Sequence, residues 1–385
     1  MRFWQNKNFK RSLISLTLIL ILGALIGCTG TATGCYGTAP AKGWSGVAIA
    51  DGRLYVGSLN GKLIGMEETN GNRLFNDLTL ETATSGGLLG CGGSPVTVAI
   101  YGTPVISGDT VFVAGYNGKL YSIDATKGIK GWSFQPERGV QQIIGGLALG
   151  QNTLFFGTTG GYVYSVDAEK SSQNWEFKAG NKIWATPLLD NDTLYIGSFD
   201  KKLYALNVSD GKEKWQFQTG GAIIATPVLQ DNTLYFGALD RCFYAVDATS
   251  GALKWKSPVI AAKWFWANPL IVNNVIYAPN MDGKVYVLNA ANGQLVIDPI
   301  DIGSPLSSSP ILVGSKIILG AQDGKVWSID TVTNLKNPLV DKSLGKIYAS
   351  LSADGNTIFI CTQGNTLYAL NADTGVVLWS KSLSS

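Results

Sequence analysis

The chain has 385 residues, only 15% of them charged, with 47 Gly, 11 Trp and 15 Tyr, the profile of many tight turns and many aromatic strand positions. It contains no histidine, which excludes Ser-His-Asp and Cys-His nucleophiles, His-ligated zinc and Cys-x-x-Cys-His haem attachment. The formal charge of +3 depends on Arg2, Lys7, Lys10 and Arg11; without residues 1–27 there are 26 basic against 27 acidic groups, a neutral surface lacking the basic stripe that nucleic-acid binding needs.

In chain order, Met1 to Arg11 is basic and Leu13 to Ile26 is apolar. That run is too short to span a bilayer comfortably and suits the core of a signal peptide. It ends in Leu25-Ile-Gly-Cys28, which resembles the bacterial lipobox. The resemblance implies cleavage before Cys28 and lipid on its thiol and new amino group, so that residues 1–27 are a lipoprotein signal peptide. The alternative is an ordinary signal or anchor with a chance cysteine. More than one acyl chain makes such anchoring stable. Thr29 follows, in place of the Asp that signals inner-membrane retention in the enterobacterial sorting rule. Residues 28–42 are small and polar and read as a flexible tether, at most about 46 Å long at ~3.3 Å per residue.

From there one phrase recurs. It reads LYIGSFDKKLYALN from Leu194 to Asn207 and LYFGALDRCFYAVD from Leu234 to Asp247. Marking each copy by its central small residue gives Gly57, Gly115, Gly157, Gly197, Gly237, Ala278, Gly320 and Cys361, steps of 58, 42, 40, 40, 41, 42 and 41 residues. Eight units of that period with strand-type alternation predict an all-β, eight-bladed β-propeller of four-stranded antiparallel blades over residues 43–381. An insert at residues 79–100 separates blades 1 and 2. Cys35 and Cys91 lie in matching GCYG and GCGG surroundings, and an exported chain permits a disulfide between them. Cys242 and Cys361 are expected as buried free thiols.

Residues 182–220 show how one blade is written. A first strand Ile183–Leu189, a second Thr193–Ser198, a third Lys202–Asn207 and an outer strand Lys212–Phe217 each alternate apolar and polar residues. The turn after the third strand recurs as DATKG (Asp124–Gly128), NVSDG (Asn207–Gly211), DATSG (Asp247–Gly251), NAANG (Asn289–Gly293) and NADTG (Asn371–Gly375). Asp or Asn bonds backbone N–H groups two residues on, and Gly supplies a positive φ. Trp132, Trp175, Trp215, Trp255 and Trp379 follow on outer strands. Each can bury roughly 200 Å² against the next blade, a gross ~5 kcal/mol of transfer energy. Blades 1, 6 and 7 lack the Trp, so their interfaces are expected to be weaker.

This D/N-A-x-x-G-x-x-x-W signature resembles the tryptophan-docking repeat of the PQQ-like (quinoprotein-type) propeller family, over nearly the whole mature chain. Family dehydrogenases carry catalytic inserts, a calcium or lanthanide ion held by Glu, Asn and Asp, and vicinal cysteines. Here no cysteines are adjacent, and the insert holds no acid but Glu81. The chain is therefore expected to be no enzyme and to hold no cofactor, with PQQ-dependent dehydrogenase as a minor alternative. Its size and lipobox are most similar to the BamB-type scaffold lipoproteins of outer-membrane assembly. That resemblance implies a monomeric, lipid-anchored, extracytoplasmic protein-binding scaffold, with envelope proteins such as a β-barrel assembly complex as partners. A surface-anchored ligand- or polymer-binding propeller is the alternative.

Three residues before the Pro of each inner strand, or its equivalent, stand Trp44, Tyr101, Ile144, Trp184, Ile224, Trp266, Ser307 and Tyr348, and two further back Lys42, Lys182 and Lys346. Together with Trp264, Asp200 and Arg241 they make a candidate binding funnel on one face, suited to an extended peptide or a flat ligand. The competing reading is that the aromatics only pack between inner strands.

Overall fold

In the computed structural model, which describes residues 43–83 and 96–384, every blade is completed by one contiguous stretch of chain. Eight four-stranded antiparallel sheets follow one another, each with its strands in sequence order, and the described residues contain no helix. Blade 4 consists of Leu188–Asp190, Thr193–Gly197, Lys202–Asn207 and Glu213–Gln218. Its first two strands are joined by a two-residue turn, as in every blade. In blades 1, 3, 5 and 6 both turn residues (Asp51-Gly52, Gln151-Asn152, Asp231-Asn232, Asn273-Asn274) have positive φ, the turn whose twist matches that of the flanking strands.

Two expectations about blade boundaries are corrected. The first strand of blade 4 begins at Leu188 rather than Ile183. Upstream of Pro187 the chain bridges two blades: the Ile183 N–H donates to Thr158 of blade 3, while the Lys182 carbonyl accepts from Phe199 of blade 4. Pairing also places Ala114 and Pro279, not Gly115 and Ala278, at the position of Gly57 and Gly197. Cys242 precedes the third strand of its blade, Phe243–Asp247; it and Cys361 are buried free thiols, and burial pushes the Cys361 thiol up to about 12. The insert contributes a short hairpin, Thr82–Ala83 with Val96–Thr97. Cys28, Cys35 and Cys91 lie outside the described residues.

The core lies between blades. Tyr195 and Leu203 of blade 4 pack with Leu234, Phe236 and Tyr244 of blade 5, and Val47, Leu54 and Ile64 of blade 1 with Phe359 and Leu367 of blade 8. The outer-strand tryptophans tie these layers. In blades 3, 4, 5 and 8 a register shift, one extra residue, precedes the Trp, the bulge that re-aims a side chain. The Trp175 indole N–H donates to the Val208 carbonyl at 2.8 Å, Trp215 to Ala248 at 3.0 Å and Trp255 to Ala290 at 2.8 Å. The turn glycine lies flat on the ring: a Cβ on Gly211 would sit 2.5 Å from Trp175. Blade 1 has no Trp, yet Phe75 fills the same role against Gly128 of blade 2.

Candidate functional site

On one face, the linker entering each blade runs over the hairpin that joins that blade's second and third strands. The N–H groups of Phe199, Leu239 and Met281 donate to the carbonyls of Lys182, Ala222 and Trp264. Within a linker, residues two apart point the same way. Residues 183 and 185 are buried, whereas 184 and 186 face the axis. All eight positions singled out by their offset from proline line a single axial cavity of about 150 Å³.

The collar aromatics form two groups. Trp44 meets Tyr101 edge-on at 4.8 Å and Tyr348 at 5.8 Å, and Tyr101 reaches Tyr116 at 5.3 Å. Opposite them in the repeat order, Trp184 meets Phe199 at 4.6 Å and crosses Ile224 of blade 5 to reach Trp266 of blade 6 at 6.3 Å. The Lys182 ammonium lies 5.1 Å from the Trp184 ring centroid and 4.8 Å from that of Phe199, within cation–π range. Trp44 remains 42% exposed, and Trp184, Trp266, Tyr101 and Tyr348 are half-buried.

Beneath the collar lies a second tier of small polar side chains that sequence reasoning missed. Thr186 Oγ1 accepts the Gly146 N–H at 2.7 Å, and the Thr226 hydroxyl donates to the Thr186 carbonyl at 3.0 Å. Asn268 Oδ1 accepts the Thr226 N–H at 2.8 Å, and Ser309 Oγ the Asn268 N–H at 3.1 Å. These bonds stitch blades 3 to 7 around the axis. The signal was available: Thr, Asn or Ser stands immediately before five of the inner-strand prolines.

The remaining candidates lie outside the cavity. Trp264 does not line it and is 44% exposed, and Arg241 is exposed at a hairpin tip. Asp200 is turned inward. It accepts the Gly180 N–H at 2.7 Å, the Lys202 N–H at 3.0 Å and the Tyr204 hydroxyl at 2.6 Å. Asp240 repeats this with Gly220, Cys242 and Tyr244, and Asp282 with Ala262, Lys284 and Tyr286. Burial first, then the bond to the carboxylate, raises these phenols, Tyr286 to about 12. The aspartates thus brace linkers. Among the described residues no charged side chain lines the axial cavity, and no group of three or more His, Cys, Asp or Glu is placed to hold a metal ion.

Fold and site together define an eight-bladed, tryptophan-docked propeller with an aromatic funnel. The chain belongs to the family described as outer membrane protein assembly factor BamB, whose pattern matches residues 3–176, 132–334 and 321–385. Among solved structures it is similar to BamB from Moraxella catarrhalis, with 19% identity and a TM-score of 0.63 over 86% of this chain and 95% of that one. It is also similar to the computationally designed Ika8 protein, with 15% identity and a TM-score of 0.66 over 88% and 95%. At such identities the likeness is one of fold. Among curated proteins it is 25% identical over 136 residues to tetrathionate hydrolase of Acidithiobacillus ferrooxidans, covering 29% of this chain and 27% of that protein.

Proposed function

We propose that this chain is a non-enzymatic scaffold of the bacterial cell envelope, tethered by lipid on Cys28 and facing an extracytoplasmic space, that engages a protein partner of β-barrel assembly at the funnel face. The observation that carries this reading is the collar of half-exposed aromatic rings around a cavity of about 150 Å³. Ordinary small-molecule pockets are larger, roughly 300–1,000 Å³. A collar of part-exposed Trp and Tyr over a shallow depression is the kind of surface that receives a partner's side chains. A lining of hydroxyls and one amide without any charged group does not fit a tricarboxylate quinone with its metal ion, which needs cations and carboxylates around it.

Pull-down from crosslinked membranes tests the reading. Recovery of a β-barrel assembly complex, reduced by Trp184→Ala, is the expected result. Recovery of a surface polymer or a solute-transport partner would instead favour a ligand-binding propeller. Hydrolysis of tetrathionate, or calcium- and PQQ-dependent dye reduction with an alcohol or sugar, would establish an enzyme. Cys28→Ala is expected to release the protein from membranes or leave its signal uncleaved; wild-type fractionation and migration would remove the lipid anchor from the proposal.

A further inference from the structure

The tip joining the second and third strands of every blade places one residue in the left-handed region. Five blades use glycine there (Gly61, Gly118, Gly161, Gly283 and Gly324, φ from 73° to 87°), and blade 8 uses Asn365 at φ 56°. Glycine takes this conformation without steric cost and asparagine tolerates it. Blades 4 and 5 instead carry Lys201 at φ 72° and Arg241 at φ 71°. The tip geometry is the same: the N–H groups of Lys201 and Arg241 donate to Ser198 and Ala238 as that of Gly61 does to Ser58. Neither substitution serves the tip, because long side chains are disfavoured at positive φ.

Nor do the two cations serve the fold through ion pairs. Both side chains are exposed, and neither is ion-paired among the described residues. The adjacent carboxylates of Asp200 and Asp240 face away, onto Gly180, Gly220 and the two phenols. Two neighbouring blades thus hold exposed cations without ion partners among the described residues, at tips where the other blades place glycine or asparagine. Phe199 and Leu239, two residues before the cations, are part-exposed, as is Met281 in blade 6.

We infer that the tips of blades 4 and 5 form a cationic clamp for an acidic polypeptide segment whose apolar side chains seat on Phe199, Leu239 and Met281 at the funnel mouth. This deepens the funnel reading and rests on it. Complementarity of charge selects the occupant: apolar anchors alone would accept any hydrophobic peptide, and unpaired cations beside them add a preference for Asp and Glu. The recessed aromatic collar next to the clamp favours a peptide over a flat anionic membrane surface.

The test uses the full chain in detergent and two labelled synthetic peptides, one alternating Asp and Phe, the other alternating Asn and Phe, with fluorescence anisotropy as readout. The Asp peptide is expected to bind roughly ten-fold tighter, with the advantage shrinking at high salt. The double variant Lys201→Gly/Arg241→Gly should abolish that advantage while its melting temperature stays level or rises, because the strain is relieved. Equal binding of both peptides, or an Asp preference that survives the double variant, overturns the clamp. So does binding to phosphatidylglycerol vesicles that depends on the two cations in the absence of peptide binding. If both peptides bind equally and Trp184→Ala weakens both, the clamp falls and the funnel stands. If Trp184→Ala changes neither peptide binding nor the crosslinked partners, the funnel reading itself falls.

Discussion

The indole N–H of Trp379 donates to the carbonyl of Glu68 at 3.0 Å, joining the last strand of the ring to a turn 311 residues earlier. Gly71, at φ 68°, lies against that indole, where a Cβ would come within 2.8 Å of ring carbons. The contact that docks blade 3 on blade 4 therefore also closes the circle. Trp379→Ala should cost about 3 kcal/mol, from lost packing plus a cavity. Trp379→Phe keeps most of the packing and orphans one carbonyl, which should cost about 1 kcal/mol. Denaturation midpoints compared at equal slope would check the order.

Blade 7 should open first. Its neighbours meet it without a docked indole on either side. At the junction of blades 6 and 7 the Tyr277 hydroxyl bonds Asn334 at 2.7 Å, and at the junction of blades 7 and 8 Gly375 abuts the Leu339 backbone. Blade 1, which also lacks the Trp, has Phe75 against Gly128 and is expected to be firmer. Hydrogen exchange should show the strands Lys316–Gly320 and Val326–Asp330 losing protection before Thr193–Gly197 and Lys202–Asn207. Equal protection would remove the ranking.

Acid should loosen the turns that begin with aspartate. Backbone N–H groups of Lys127, Lys170, Ser250 and Thr333 hold the carboxyls of Asp124, Asp167, Asp247 and Asp330 below the usual range, Asp124 at about 2. The folded values lie below the unfolded value of about 4. The stability these groups contribute is thus present above pH ~4 and lost as pH falls toward ~2. Asn207 and Asn371 make the same turn bonds without titrating. Replacing the four aspartates by asparagine should flatten the acid limb of a melting-temperature profile and leave its neutral region nearly unchanged.

Two tryptophans should separate function from stability. Trp215 is docked between blades through its N–H to Ala248, so Trp215→Ala should lower the melting temperature by several degrees. Trp184 borders the axial cavity and stays half-buried, so Trp184→Ala should weaken partner capture with a smaller loss of stability. Equal destabilisation by the two would mean that Trp184 is packing alone.

What the sequence revealed depended on how strictly each feature repeats. Four of the five docking tryptophans stand four residues after a turn glycine, and five of the eight collar positions three residues before a proline, so both could be found by counting. Phe75 escaped because blade 1 breaks the register there with a loop and a two-residue outer strand, Leu78–Thr79. The floor tier escaped because Thr and Ser before proline look like ordinary turn residues until neighbouring linkers are seen bonding sideways. Asp200 looked available for a ligand because an exposed hairpin aspartate usually is. Its partner Tyr204 stands four residues on, a spacing repeated at Asp240 with Tyr244 and at Asp282 with Tyr286, and only the closed ring shows the linker N–H that completes each bracket.

The tryptophan closure between blades 8 and 1 makes the order of blades in the gene arbitrary. Among the described residues no strand is borrowed from the far end of the chain, and the closing contact is chemically the same as the internal ones. Joining the ends of the ring and cutting the connection between blades 4 and 5 would give a circular permutant with every blade, every docked indole and the whole collar intact. For this architecture the circle itself has no first member.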